Sequence, residues 1–281
     1  MRKMALFEWL LLAALVLAAV WSAFSPLKPQ MLLYPLIRQA AQAKMNYATR
    51  DMAVIETEHL VIKYLPQDAA AVALVTQGAE QAYGPVTRVM GYSPGGKTLI
   101  VVYPDRTSLN RTFGWAGDQS AMGVYWGGVI QVLSPRSWFE GTAAEFARSG
   151  PMVHEYTPLV FDHQTRGNYP RWYTEGLAQY LDYKVNGYEW RTATNSLCGQ
   201  LYTMAQLEND FDCLPDQSLA YRESLAAVRY IAVAGGEDAL RQVAVALGAG
   251  RSIQEAVTAV LGVDYAAYTA AWQQWARINM G

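Results

Sequence analysis

Two adjacent side chains, His154 and Glu155, are the first candidates for chemistry in this sequence. They follow Gly150 and Pro151, and proline suits the first turn of a helix. In a helix with the pattern H-E-x-x-H, two histidines four residues apart bind zinc and the glutamate acts as general base. The second histidine position is Pro158 here. Proline supplies no donor atom, and it removes one backbone hydrogen bond at a cost of about 3 kcal/mol or a kink.

A second block of residues follows at a spacing that suits the first. Glu175 comes twenty-one residues after His154, within a stretch that predicts the next helix. Gly176 and Ala178 are small, so this helix can pack closely against a neighbour. A carboxylate on a following helix is how a zinc site made of two histidines and a glutamate is completed.

Together the two blocks resemble the active-site region of the bacterial peptidase MA-like family, which are gluzincin metallopeptidases with a thermolysin-type core. The family pattern is a G-P-x-x-H-E-x-T-H helix followed by N-Y-P-R-W-x-x-E-G-x-A-Q-Y. The similarity is specific over residues 150–180 and weaker over residues 51–275. The resemblance implies a zinc cofactor, a peptide or protein substrate, His154 and Glu175 as metal ligands, and Glu155 as the base that activates a metal-bound water.

Other side chains are candidates for supporting roles near this site. His163 is nine positions from His154 and points to the opposite face of a regular helix, while Asp162 lies about 12 Å further along the axis. His163 could replace the missing ligand only if the helix kinks at Pro158. Tyr221 opens a later helix and is either a donor to a tetrahedral oxyanion or a buried structural tyrosine.

A β-rich segment just before the motif helix is a candidate substrate-binding strand. Two interpretations stay open for it. It is either an edge strand that hydrogen-bonds an extended peptide or an ordinary interior strand. The residues concerned are Gly128, Val129, Ile130 and Gln131.

The N-terminus predicts a membrane anchor. Two basic residues precede residues 5–24, whose only charged side chain is Glu8, and this length suits a single bilayer span. A retained signal anchor is favoured over a cleaved signal peptide or a buried core helix. The expected organisation is an anchor at 1–28, a linker at 29–50 and an extracytoplasmic peptidase-like domain at 51–281 of a single-pass membrane protein.

Composition limits the remaining classes. Hydrophobic residues make up 52% and charged residues 16% of the 281 residues, which excludes a disordered chain. The net charge is -2 with no long basic run, so nucleic acid is not an expected partner. In an exported domain, Cys198 and Cys213 either form a disulfide worth about 3 kcal/mol or stay as two independent buried thiols.

Periodicity predicts an α+β fold in which a small mixed sheet precedes a helical lobe, after one N-terminal transmembrane helix. Strands are predicted at 58–64, 97–103, 122–126 and 128–133. Helices are predicted at 69–90, from 105 onwards, and at 142–148, 151–164, 174–184, 204–210, 218–234, 237–247, 253–261 and 265–278.

Three functions are compatible with these patterns. The first is a membrane-anchored zinc metallopeptidase with Glu155 as general base. The second is a pseudopeptidase that binds extended peptides at the cell surface. It would be inactive because Pro158 supplies no metal ligand at the position of the second histidine. The third, a purely structural envelope protein, has no positive feature in the sequence.

Overall fold

The computed structural model describes residues 27–115 and 121–281. Its strands are β1 (Ala53–Glu56), β2 (Leu60–Tyr64), β3 (Thr98–Tyr103), β4 (Gly123–Trp126) and β5 (Val129–Leu133). Its helices are α1 (Pro29–Ala48), α2 (Ala69–Met90), α3 (Arg106–Phe113), α4 (Ala143–Ser149), α5 (Met152–Thr165), α6 (Arg171–Asn186), α7 (Met204–Asn209), α8 (Gln217–Gly235), α9 (Asp238–Gly248), α10 (Ile253–Leu261) and α11 (Tyr265–Asn279). The predicted α+β fold is confirmed.

The five strands form one mixed sheet in the order β1-β2-β3-β5-β4. The central strands β2, β3 and β5 are parallel, and the outer strands β1 and β4 pair antiparallel to them. Every residue of β3 and β5 is buried, because helices cover both faces of the sheet centre. The larger core packs one face against α2 and α5, and a smaller cluster beside α1 and α3 covers the other.

The strand β1 was not predicted from the sequence. It has only four residues, and its side chains alternate between half-buried and exposed. A short edge strand of this kind carries little hydrophobic signal, because one side faces solvent. The predicted helices and the other strands are confirmed to within a few residues at each end.

The helix α5 runs without interruption from Met152 to Thr165, with Pro158 inside it. The break that proline could have caused is therefore not present, although proline still cannot donate the backbone hydrogen bond of its turn. On α6, a Cβ at Gly176 would lie 2.2 Å from the backbone oxygen of Ser224 on α8. The close helix packing predicted for Gly176 is confirmed, and it brings α8 beside the motif helices.

Residues predicted as a linker contain the twenty-residue helix α1, which packs on the domain. Its Met31 is fully buried, and the side chain of Gln42 donates a hydrogen bond to the backbone oxygen of Gly128 at 3.0 Å. The domain boundary near residue 50 stays a prediction. Among the described residues, no helix is long and apolar enough to cross a membrane, and the predicted anchor at 5–24 lies outside them.

Candidate functional site

The helices α5 and α6 bring His154 and Glu175 together. The Nε2 atom of His154 lies 3.5 Å from Oε2 of Glu175, and its Nδ1 atom lies 2.9 Å from Oδ2 of Asp182. Glu175 and Asp182 are seven residues apart, which is about two helical turns, so both project from the same face of α6. The imidazole therefore lies between two carboxylates. Asp182 was not predicted, although its spacing from Glu175 was visible in the sequence.

This arrangement favours the charged form of His154. Burial by itself would lower the pKa of the imidazole, but hydrogen bonds to Asp182 and Glu175 outweigh it and raise the pKa well above its usual range. The Asp182 contact also fixes the ring orientation, with Nε2 directed toward Glu175. A carboxylate on the far nitrogen is the usual way in which proteins orient a metal-binding histidine.

Glu155 lies against strand β4. A Cβ placed on Gly123 would be 2.7 Å from Cγ of Glu155, so only glycine leaves room for this carboxylate beside the strand. Burial raises the pKa of Glu155 to about 7, while the neighbouring His154 charge and a hydrogen bond from the Tyr125 backbone N–H partly oppose that rise. A carboxyl group with this pKa can exchange a proton near neutral pH.

Tyr221 joins the same site from α8. Its hydroxyl accepts a long hydrogen bond from Arg171 at 3.4 Å, and Arg171 also contacts Oε1 of Glu175 at 3.3 Å. Burial and the Glu175 charge raise the pKa of Tyr221, so its hydroxyl keeps its proton at neutral pH. The side chain of Gln179 donates to the backbone oxygen of Tyr221 at 2.7 Å and holds the start of α8 in place.

A cleft passes over His154 and Glu155. Two cavities, of about 320 and 520 Å³, share these residues and Gly123 in their walls. The smaller one also has aromatic walls from Tyr188, Trp190 and Tyr221. The larger one extends past β4 and Pro158, with further walls from Tyr34, Trp126, Tyr169 and Arg171. Together they form a groove along one edge of the sheet.

The strand at this edge is β4, which corrects the substrate-strand prediction. Residues Val129, Ile130 and Gln131 belong to β5, which is paired with β3 on one side and β4 on the other. Gly128 precedes β5, and its N–H donates to the Tyr125 hydroxyl at 3.1 Å. Because these backbone groups already have partners, they cannot add an extended peptide to the sheet. The interior-strand interpretation is therefore the one that holds.

A second polar cluster lies further along α5, around Asp162. This side chain is fully buried, and its oxygens accept hydrogen bonds from Arg38 at 3.2 Å, Tyr125 at 2.6 Å and Tyr169 at 3.0 Å. Tyr34 also hydrogen-bonds to it. The four partners come from α1, β4 and the segment before α6, so Asp162 joins three parts of the fold.

The geometry above agrees with a comparison of the sequence with known families. The family model described as Peptidase MA superfamily matches residues 140–278. The chain belongs to the peptidase MA superfamily. The matched residues include all of α4 to α10 and nearly all of α11, and therefore both motif helices. No curated protein matches this chain. Membership identifies it as a peptidase-like protein of a superfamily that is typically zinc-dependent.

The donors in the cleft of this superfamily member do not make a complete zinc site. A catalytic zinc ion takes three protein ligands. His154 and Glu175 offer two, and Pro158, at the third position, offers none. Asp182 is already hydrogen-bonded to Nδ1, the other ring nitrogen of His154. Across residues 27–115 and 121–281, no cluster of three or more histidine, cysteine, aspartate or glutamate side chains has a metal-binding arrangement.

The other histidines do not replace the missing ligand. His163 lines a separate cavity between α1 and the segment before β3, and burial, with the Arg38 charge, lowers its pKa to about 4. His59 bonds Glu80 at 2.7 Å at the start of β2. The chain has only three histidines, so His154 alone faces the cleft.

Cys198 and Cys213 are both free in the structure. Both are exposed, which differs from each of the two sequence interpretations. Neither residue lines the cleft cavities described above.

Proposed function

We propose that this chain is a pseudopeptidase of its superfamily, which binds an extended polypeptide in the cleft beside β4 and does not cut it with zinc. The observation that carries the proposal is the combination of a formed cleft at a sheet edge with a two-donor site. Edge strands bind extended peptides by adding a strand to the sheet, and Gly123 keeps that edge close to Glu155. At the third ligand position, Pro158 supplies no donor atom for a metal ion.

The proposal is tested by separating binding from turnover. Fluorescein-labelled denatured casein supplies an extended polypeptide, anisotropy measures its binding, and gel electrophoresis measures its cleavage. We expect saturable binding that a chelator does not change, without fragments. Gly123→Val fills the space beside Glu155 and is expected to weaken binding by about 5- to 150-fold, the factor that corresponds to a crowding cost of about 1–3 kcal/mol.

Gly95→Val is the matched control for this variant. A Cβ at Gly95 meets nothing within 4 Å, so the same class of change should leave binding as it was. Equal binding by the unmodified chain and Gly123→Val would contradict the proposed site. Cleavage of casein by the unmodified chain would contradict the loss of catalysis.

The second candidate is a hydrolase in which Glu155 acts as general base, as the complete superfamily motif implies. It is supported by the pKa of Glu155 near 7 and by the Asp182 contact that orients His154. A cleavage activity that Glu155→Gln abolishes, and that needs added zinc, would favour this candidate. Metal content of the purified full chain, measured by elemental analysis after incubation with zinc, is the companion measurement.

We also propose that residues 5–24 hold the domain at the extracytoplasmic side of a membrane. The support is the twenty-residue apolar stretch behind two basic residues. Full-length chain should sediment with membranes and resist carbonate extraction. Leu15→Arg places a charge near the middle of the span at a cost of about 3 kcal/mol, so it should release chain into the soluble fraction. No change in that fraction would argue against the anchor.

A further inference from the structure

The helix α1 has one face on the domain and one face that the described domain leaves uncovered. Met31, Tyr34, Arg38 and Gln42 lie on the inner face, where they contact α5, β5 and the cleft. The outer face is mainly apolar, although Gln39, Lys44 and Asn46 are also exposed on this helix. Its exposed large apolar side chains are Leu32 at 42%, Leu33 at 58%, Leu36 at 60%, Ile37 at 53% and Tyr47 at 71%.

Exposed large apolar side chains are concentrated on this helix. Elsewhere in the described residues no helix or strand carries more than one of them, as with Val54 on β1 and Ile278 on α11. Val185, Tyr188 and Trp190 are close in sequence, and the last two line the cleft. Scattered residues of that kind are ordinary, whereas a contiguous apolar stripe marks an interaction surface. The stripe on α1 therefore needs an occupant.

The position of α1 in the chain identifies that occupant. Its first residue, Pro29, is five residues after Phe24, where the predicted membrane segment ends. Five residues reach at most about 18 Å when extended. If residues 5–24 span a bilayer, the start of α1 must lie at or near its surface. A bilayer surface is thus the one apolar phase that the sequence itself brings to this helix.

The charge of α1 suits the same occupant. Residues 28–50 contain no acidic side chain. Among their basic side chains, Arg38 bonds Asp162 on the inner face and Lys28 bonds Asn168, whereas Lys44 and Arg50 are exposed. A helix with one apolar face and only positive charges binds the boundary of an anionic membrane. Tyr47 adds an aromatic ring at the far end, and aromatic rings with a polar tip favour this interface.

We infer that α1 lies along the membrane surface, with Leu33 and Leu36 facing the lipid. The inference depends on the proposed anchor but not on the proposed peptide binding. On the opposite side of the helix, Tyr34 forms part of the cleft wall. Because a helix with its side chains is about 10 Å across, the cleft lies roughly one helix diameter from the lipid. Polypeptides that reach it would come from next to the membrane.

The test places a fluorescent probe at single positions of the full-length chain. In a background with Cys198→Ser and Cys213→Ser, the substitutions Leu33→Cys and Leu36→Cys carry an environment-sensitive nitrobenzoxadiazole label. The chain is reconstituted in vesicles of phosphatidylcholine and phosphatidylglycerol that contain a lipid with a nitroxide near the headgroup. We expect both labels to lose at least half of their fluorescence relative to nitroxide-free vesicles.

Ile278→Cys is the matched control, because Ile278 is 74% exposed but lies at the end of α11 in the helical lobe. Its label should keep most of its fluorescence. If the chain floats with the vesicles but all three labels are quenched equally, the inference is overturned and the anchor stands. If the chain does not float, anchor and inference are both overturned. Casein binding, measured on the same samples, reports the proposed peptide site independently.

Discussion

The two ends of helix α5 carry two polar clusters that differ in what completes them. Around Asp162, four side chains surround a fully buried carboxylate, and its oxygens are saturated by donors from the chain. Around His154, polar groups face a cavity, and the side chain of His154 is 25% exposed. Pro158 lies between the two ends.

This difference separates a structural cluster from a binding cluster. Saturated buried groups stabilise a fold, since removing one partner leaves the others without hydrogen bonds in an apolar environment. Groups that face a cavity have capacity left for a ligand. The first cluster should therefore matter most for folding, and the second for what the cleft binds.

The largest expected effect is on stability at the Asp162 end. Asp162→Ala removes the acceptor for three tyrosines and Arg38, so we expect the free energy of unfolding to fall by about 3–5 kcal/mol. Urea unfolding followed by circular dichroism measures it. Asp238→Ala is the control, because Asp238 forms an exposed pair with Arg241 at 3.1 Å and such pairs contribute about 1 kcal/mol or less. Similar losses for both variants would remove the distinction drawn between the two ends.

At the other end, Pro158→His should supply the missing donor. We expect zinc affinity to rise at least about a hundredfold over the unmodified chain, given that even indirect partners of a metal ligand contribute 10–100-fold. Competition with a chromophoric chelator measures this change. Pro158→Ala is the matched control, since it also removes the proline but adds no donor. Equal zinc affinity in the two variants would mean that the cleft does not hold the metal.

The sequence predicted the motif helices well because their signals are local. His154, Glu155 and Glu175 fall on α5 and α6 as their spacing indicates, and Gly176 meets α8 as its size indicates. Tertiary pairing was harder to predict. Whether β5 is an edge strand depends on β4 pairing beside it, which no local pattern indicates. The four partners of Asp162 are scattered in the sequence and share no spacing that predicts their contact.

A third buried carboxylate, Glu223, tests whether complete hydrogen bonding, rather than burial alone, decides how much a buried carboxylate stabilises the fold. Glu223 on α8 is fully buried, and one of its oxygens accepts the Tyr202 backbone N–H at 3.0 Å. Its other oxygen has no partner among the described residues. Burial raises the pKa of Glu223 from its usual 4.5 to about 8. Glu223 is therefore as buried as Asp162 but incompletely paired.

The sign of its pH effect follows from this rise in pKa. Between pH 4.5 and 8, Glu223 ionises in the unfolded chain but stays protonated in the folded one. Its contribution to stability is therefore complete below pH 4.5 and is lost as pH rises toward 8, by about 1.4 kcal/mol per pH unit. Glu223→Gln should remove this slope in urea unfolding at a series of pH values. Parallel pH profiles for the two proteins would contradict the expectation.

Tyr125 connects the two ends of α5, and its substitution should have the smallest effect. Its hydroxyl donates to Asp162 at 2.6 Å, and its backbone N–H bonds Glu155. Tyr125→Phe removes two hydrogen bonds, the one donated to Asp162 and the one accepted from the Gly128 N–H, so we expect a loss of about 2 kcal/mol of stability. If the hydroxyl also sets where β4 lies beside Glu155, casein binding should weaken a few-fold. Tyr47→Phe, at an exposed position on α1, should change neither measurement. Unchanged casein binding in Tyr125→Phe would mean that the two ends of α5 act independently, and that the packing of β4 on β5 is sufficient to position the cleft edge.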